Sequence, residues 1–261
     1  MAPNVSIVMP VHNCEKTLVR SLSSLADQTY RDFETIFVDN NSTDRSIEIA
    51  KDFKETANIK FVECKIKGIV PTLNTGVAAA QGNWIARQDG DDYWYPTKLE
   101  KQMKFLEENP DVSILGTRLR LLSPDGDVEE IGTFGLPVKY PTGDQSIKTG
   151  LLHGQNMLCH PSVVVAKRVF LECGGYENIF PMAEDLHLWM KAIPFFKFAN
   201  LEEVLIDYTQ TKSENYDARI PLLCADMYWH LYKIAGLVEG ERENLIYNWQ
   251  TEQNGHRHGA Q

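Results

Sequence analysis

An α/β fold, with a mainly parallel, doubly wound sheet flanked by helices, is what this 261-residue sequence predicts. Short runs of branched apolar residues alternate with helical patterns through about the first 110 residues. Polar clusters follow three of those runs directly, and open parallel sheets bind their ligands at such strand ends. The composition, 43% hydrophobic and 24% charged with 17 Gly and 12 Pro, is that of a globular domain and excludes a disordered or fibrous chain.

The elements follow in order. Residues 5–10 read as a buried strand, and Asn13 is placed to cap a helix that carries Leu18, Leu22 and Leu25 on one face. Residues 33–39 form a second strand; Asp44 caps the next helix, with Ile47, Ile49 and Phe53. A third strand spans 59–63, Pro71 opens a helix to about Ala80, and a fourth strand spans 84–88. Thr97-x-x-Glu100 reads as a capping box ahead of Leu99, Met103 and Leu106, and Pro110 ends that helix. Beyond about residue 111 the pattern loosens into a more irregular C-terminal half. A long strand over 112–122 runs to a turn at 123–126, and a helix lies near 145–153. A short strand at 162–166 precedes a helix over 184–193, with Leu186, Met190 and Ile193 inward, and a last strand at 204–208. Residues 217–236 and 240–250 are helical in pattern, and 254–261 read as a disordered tail. No linker interrupts the chain, so one domain is expected.

The formal net charge of −10 (26 Lys+Arg against 36 Asp+Glu) argues against a nucleic-acid surface. Cys14, Cys64, Cys159, Cys173 and Cys224 form no CxxC pair, which fits reduced thiols and a cytoplasmic setting. No stretch approaches the ~18 apolar residues of a membrane span. Peripheral contact with a membrane-bound substrate stays compatible with the sequence. No GxGxxG, GxxxxGK[ST] or GxSxG motif occurs, which speaks against a dehydrogenase, a P-loop enzyme and a serine hydrolase.

The chemistry gathers at the strand ends. Strand one runs into Pro10-Val11-His12-Asn13, strand two into Asp39-Asn40-Asn41-Ser42-Thr43-Asp44, and strand four into Asp89-Gly90-Asp91-Asp92. Three carboxylates within four residues repel unless a cation or solvent relieves them, and hard oxygen ligands select Mg²⁺ or Mn²⁺. The plainer alternative is a solvated acidic turn that caps the next helix. Glu184-Asp185 opens a helix after Pro181, where carboxylates favour the dipole; one of them also suits a general base. The two roles conflict, since a helix N-terminus lowers a carboxyl pKa and a base gains from a raised one. His153, His160 and His187 read as structural, and Trp94, Tyr95 and Trp189 as either sugar-stacking or packing residues.

Taken together, the motifs resemble glycosyltransferase family 2, the inverting nucleotide-sugar transferases of the GT-A fold. The opening VSIVMPVHN and the segment FVDNNSTD are similar to that family's first two strand ends. Leu73-Asn74-x-Gly76, Trp84-Ile85-Ala86-Arg87-x-Asp89-x-Asp91-Asp92 and Pro96-x-x-Leu99-x-x-Gln102 resemble the stretch around its DxD element. His160-Pro161-Ser162, Gly174-Gly175-Tyr176 and Glu184-Asp185 follow in the family's order, and the likeness covers about 4–210.

The resemblance implies a GT-A domain over 1–210, with a nucleotide-binding half to about 110, an acceptor half after it, and a helical extension over 211–253 packed on the same domain. It implies that Pro10, His12 and Asn13 line the base and ribose, that Asp39 and Asn40 sit at the base edge, and that Asn74 and Asp89 belong to the nucleotide site. Asp91 would hold the ribose or metal, Asp92 the Mn²⁺ or Mg²⁺ at the diphosphate, and Asp185 beside Glu184 would be the catalytic base. The implied partners are a UDP-sugar donor and a glycan or glycoconjugate acceptor, with no nucleic acid. Two departures stand out: Asn40 replaces an Asp common in the family, and Tyr208-Thr209-Gln210-Thr211 replaces Y-R-x-H. The second keeps a non-catalytic nucleotide-sugar binding protein of the same fold as the alternative.

Overall fold

The strand β1 (Val5–Val11) is apolar on both faces and lies between β2 (Phe33–Asp39) and β4 (Trp84–Arg87), both parallel to it. Branched and aromatic residues on both faces fit only a strand covered on both sides. The structure is a computed structural model that describes residues 2–123, 128–129, 140–180, 182–209, 217 and 219–237. Its sheet runs β3 (Ile59–Glu63), β2, β1, β4, β8 (Val164–Ala166), β6 (Val112–Leu122), β9 (Lys197–Thr209), β5 (Tyr93–Trp94), with β7 (Val128–Glu129) paired to β6. Most of the residue pairing is parallel; β8 runs antiparallel to β4 and β6 and joins two parallel blocks.

Helices cover both faces. On one, α1 (Leu18–Ala26) and α4 (Lys98–Glu108) pack Leu18, Leu22, Leu25, Leu99 and Met103 against Ile7, Met9 and Phe37. On the other, α3 (Ile69–Ala79), α6 (Lys167–Cys173), α7 (Glu184–Ala192) and α8 (Arg219–Ile234) bring Leu73, Val169, Leu186, Trp189 and Trp229 together with Val8, Ile85 and Val165. Two further helices, α2 (Ser46–Asp52) and α5 (Asp144–Leu152), complete the described α-helices, and His160–Ser162 form a short 3-10 turn. None of the described helices is long and apolar enough to cross a membrane.

Several local expectations are corrected. Asn13 does not cap α1, which begins five residues later; it sits at φ 54° and its Oδ1 accepts the Thr43 N–H at 2.8 Å. The capping box at Thr97 does not close, because Glu100 accepts from the Thr29 hydroxyl at 2.7 Å instead. Asp44 stands one residue ahead of the N-cap, Arg45, and its Oδ1 accepts the N–H of Ser46, the first residue of α2, at 3.0 Å. The last strand starts at Lys197 rather than 204, since pairing with β6 overrides the polar break at Asn200, Glu202 and Glu203. Two-residue strands such as β5 and β7 are too short to leave a periodicity in sequence. The turn expected at 123–126 lies largely outside the described residues, as do the helix over 240–250 and the tail.

The entry to β4, at the end of the strand opposite the site, is set by Gly82. A Cβ there would lie 2.7 Å from the Ser6 backbone nitrogen and 2.9 Å from the Asn4 carbonyl oxygen, atoms that cannot rotate away. Gly82→Ala is therefore expected to cost about 2–3 kcal/mol, read as a fall in the urea midpoint; an unchanged midpoint would show that the β1–β4 edge is looser than described.

Candidate active site

The carboxyl ends of β1, β2 and β4 open onto one cleft. The acidic turn leaves β4 directly and is tied to α1: Thr17 Oγ1 donates to the Gly90 carbonyl at 2.7 Å and Ser21 Oγ to the Asp89 carbonyl at 2.8 Å. A Cβ at Gly90 would meet Cys14 Sγ at 2.8 Å, so a larger residue requires the Cys14 side chain to shift. Asp89 and Asp91 line the cleft alongside Pro10, Asn13 and Lys16. Burial, reinforced by the Asp89 charge, pushes the Asp91 carboxyl up to about 6.

Asp92 is turned the other way. Its Oδ1 accepts the Thr209 N–H at 2.8 Å, its Oδ2 has no hydrogen-bond partner, and the residue is fully buried. Burial and the Asp91 charge push its carboxyl well above the usual range. The expectation of a metal ligand at Asp92 is thereby corrected: the carboxylates that face the cleft are Asp89 and Asp91. No cage of three or more His, Cys, Asp or Glu exists among the described residues. Asp91 with Asp89 beside it still fits Mg²⁺ or Mn²⁺, which commonly take one or two carboxylates and complete their shell with water and substrate phosphate.

Arg87 connects this turn to the base candidates. The guanidinium binds Asp89 through Nε at 2.9 Å and Nη2 at 3.2 Å, and Nη1 stands 3.8 Å from Glu184 Oε1. Burial opposes its charge, but Asp89 and Glu184 outweigh burial and hold the guanidinium above its ordinary value. Glu184 and Asp185 occupy the first turn of α7. Asp185 Oδ1 accepts the Leu186 N–H at 2.7 Å and Oδ2 accepts from Asn156 Nδ2 at 2.6 Å. Burial raises the Asp185 carboxyl despite those bonds and Arg87. Burial, with Asp185 alongside, raises Glu184 to about 6. The conflict between helix dipole and base is thus decided by burial.

These residues border a cavity of about 280 Å³ that Asn156, His160, Tyr140 and Tyr208 also line and that shares Arg87 and Asp89 with the acidic-turn cleft. At the other end, Pro10, Val11, His12, Asn40, Lys67 and Gly68 form a third hollow, and Ile69 borders all three. His12 Nδ1 donates to the Asn40 carbonyl at 2.8 Å.

Two expected nucleotide residues are spent on the walls. Asn40 Nδ2 donates to the Cys64 and Ile66 carbonyls at 2.9 and 2.8 Å, and its Oδ1 accepts the Gly68 N–H at 3.0 Å. Asn40 therefore borders the hollow with its amide committed to the 64–68 loop. Asn74 likewise clamps a peptide, accepting the Tyr176 N–H at 3.0 Å and donating to the Tyr176 carbonyl at 2.8 Å. Asp39 Oδ1 accepts the Ser42 N–H at 3.2 Å. Trp94 and Trp189 are fully buried, and Tyr95 Oη donates to Asp207 at 3.0 Å. His153 and His187 are structural as expected, bonded to the Thr149 carbonyl and to Tyr228. His160, by contrast, lines the cavity.

Sequence reasoning gave no role to Arg87, Asn156, Tyr176 or Tyr208. Arg87 left a signal, a cation at the end of a buried strand two residues before the acidic turn, and Tyr176 and Tyr208 stand within motifs noted above without a role attached.

An α/β sheet whose strand ends carry an acidic turn, joined to a second carboxylate pair, agrees with the arrangement that the resemblance to glycosyltransferases implies. The description "Glycosyl transferase family 2" matches residues 6–173. The chain belongs to glycosyltransferase family 2. It is 32% identical over 209 residues to the putative glycosyltransferase EpsE of Bacillus subtilis, covering 78% of this chain and 72% of that protein. It is 32% identical over 215 residues to the O-antigen biosynthesis glycosyltransferase WbnJ of Escherichia coli, covering 78% of each. Among solved structures, S. aureus TarS 1-349 in complex with UDP-GlcNAc superposes with a TM-score of 0.65 at 21% identity over 82% of this chain, which spans only 60% of that one. The mannosyltransferase PcManGT of Pyrobaculum calidifontis, in complex with GDP-Man and Mn2+, superposes with a TM-score of 0.61 at 16% identity over 96% of this chain and 80% of its own. These structures share the GT-A fold.

The raised Glu184 carboxyl has a consequence for stability. Between its ordinary value of 4.5 and about 6, the folded chain keeps a proton that the unfolded chain has released. Its contribution is whole below pH 4.5 and is lost as pH rises through about 6. Glu184→Gln is expected to remove this fall, on the order of 1–2 kcal/mol, when urea unfolding is compared across that window. Parallel wild-type and variant curves would contradict it.

Proposed function

We propose that this protein is a metal-dependent, inverting glycosyltransferase that moves a sugar from a nucleoside-diphosphate sugar, UDP-sugar by preference, to a hydroxyl of a glycan or glycoconjugate acceptor. The observation that carries the reading is that Asp91 and Asp185 face connected parts of one cleft, joined at Arg87 and Asp89. The UDP-GlcNAc bound by TarS, on the same fold, supports the donor class, and the Mn2+ with GDP-Man in PcManGT supports a divalent cation.

In this reading the nucleoside lies along Pro10 and His12, and Asp91, assisted by Asp89, holds the cation at the diphosphate. When bound, Mn²⁺ or Mg²⁺ neutralises charge on the departing diphosphate. Lys16, which lines the cleft, supplies a further positive charge there in place of the family's missing Arg and His. Arg219, at the start of α8, is already paired with Asp217 at 2.7 Å. The acceptor enters the cavity beside Tyr140 and Tyr208 and places its hydroxyl at Asp185. Asp185 Oδ2 takes the proton as the acceptor oxygen attacks the anomeric carbon on the face opposite the leaving group. One displacement inverts that carbon through an oxocarbenium-like transition state.

Asp185→Asn is expected to leave the donor KM within about threefold and to lower transfer by about 10²–10⁴-fold, followed as nucleoside diphosphate release with a hydroxyl acceptor. Wild-type transfer by this variant would remove Asp185 from the base role. Asp91→Ala is expected to abolish the stimulation of donor hydrolysis by added Mn²⁺. Stimulation that survives the change would move the cation elsewhere. Donor binding by calorimetry without hydrolysis or transfer across a broad acceptor panel would favour the non-catalytic binding protein.

A further inference from the structure

The ring of His160 lines the cavity that holds Asp185, against Arg87, and its neighbours dictate where its proton can be. Arg87 Nη1 meets His160 Nδ1. A guanidinium offers only N–H donors and does not give up its proton, so Nδ1 must accept and carries no hydrogen. The ring proton is then on Nε2, which donates to Tyr176 Oη at 2.8 Å. Tyr176 is fixed in turn by the Asn74 clamp on its peptide. The Trp189 ring meets the imidazole edge-on, with centroids 5.8 Å apart.

Two carboxylates face the same nitrogen, Asp185 Oδ2 at 3.7 Å and Glu184 Oε1 at 4.0 Å. On distance alone, a charged His160 paired with Asp185 would be the obvious arrangement. Arg87 forbids it, because a proton on Nδ1 would point at the guanidinium.

We propose that His160 is a positioning residue, held uncharged with its proton on Nε2 by Arg87 and Tyr176, which walls the base without sharing a proton with it. The functional half of this statement rests on Asp185 being the base. An imidazolium beside Asp185 would neutralise that carboxylate and weaken it as a base. The Nδ1 lone pair instead leaves Asn156 as the side-chain donor on Asp185 Oδ2, so that oxygen keeps a lone pair for an incoming hydroxyl. The charged and titratable groups around the ring are Arg87, Glu184, Asp185 and the Tyr176 phenol, with Asp89 behind Arg87.

The tautomer is measurable without turnover. In the wild-type chain labelled with ¹⁵N-histidine, His160 is expected to show an unprotonated, pyridine-type Nδ1 and a protonated Nε2 at neutral pH. A proton on Nδ1 overturns the proposal whether or not Asp185 is the base. In turnover, His160→Phe is expected to lower kcat about 10²-fold through misplacement of the carboxylate pair, with donor KM unchanged. His160→Asn, whose amide oxygen can accept from Arg87 near the Nδ1 position, is expected to recover most of that loss. A folded His160→Phe enzyme with wild-type kcat overturns the positioning role; if that variant does not fold, the histidine spectrum of the wild-type chain decides.

Discussion

One buried cation holds the site together. The Arg87 guanidinium reaches forward to Asp89 in the acidic turn and sideways to Glu184 on α7, so a single positive charge serves carboxylates from distant parts of the chain. The Arg87 and Glu184 side chains are each only 11% exposed, and an uncompensated carboxylate in such a place costs several kcal/mol. The turn and the helix can therefore approach only while Arg87 stands between them. Its place at the end of β4 follows from the sheet, because pairing with β1 on one edge and β8 on the other fixes where that strand stops.

The polar residues at the strand ends divide into two groups that the sequence does not separate. Some present functional groups to the cleft, such as Asp89, Asp91 and His12. Others build its walls: Asn40 gathers the 64–68 loop, Asn74 holds Tyr176, and Asp92 accepts the Thr209 N–H and thereby ties the acidic turn to β9. Amides serve the wall role well because they donate and accept at once, which a carboxylate cannot do when ionised. Asn40 shows why the Asp common in this family is not a simple substitute in this chain. Two backbone carbonyls converge on its amide nitrogen and would face a carboxylate without a proton between them.

The parallel half of the fold was legible from sequence because fully buried strands leave continuous apolar runs, and α1 and α4 leave an amphipathic period. The strand-end clusters placed the cleft for the same reason. What was not legible depended on the far partner. The polar stretch of β9 becomes strand only because β6 supplies hydrogen bonds, and Asp92 faces inward only because Thr209 is there to receive it. Arg87, Asn156 and His160 come from separate elements and share a cavity only after β8 and α7 have packed, so no local spacing announces them.

If Arg87 is shared, then Asp89 and Glu184 are coupled although they do not touch. A double-mutant cycle on stability, with Asp89→Asn, Glu184→Gln and the pair followed by urea unfolding at neutral pH, tests this most directly. The account predicts that the two changes are non-additive by about 1 kcal/mol or more, since removing either partner frees the cation for the other. Additivity within about 0.3–0.5 kcal/mol would mean that the acidic turn and the base-bearing helix are held independently, and that Arg87 is not the joint between them.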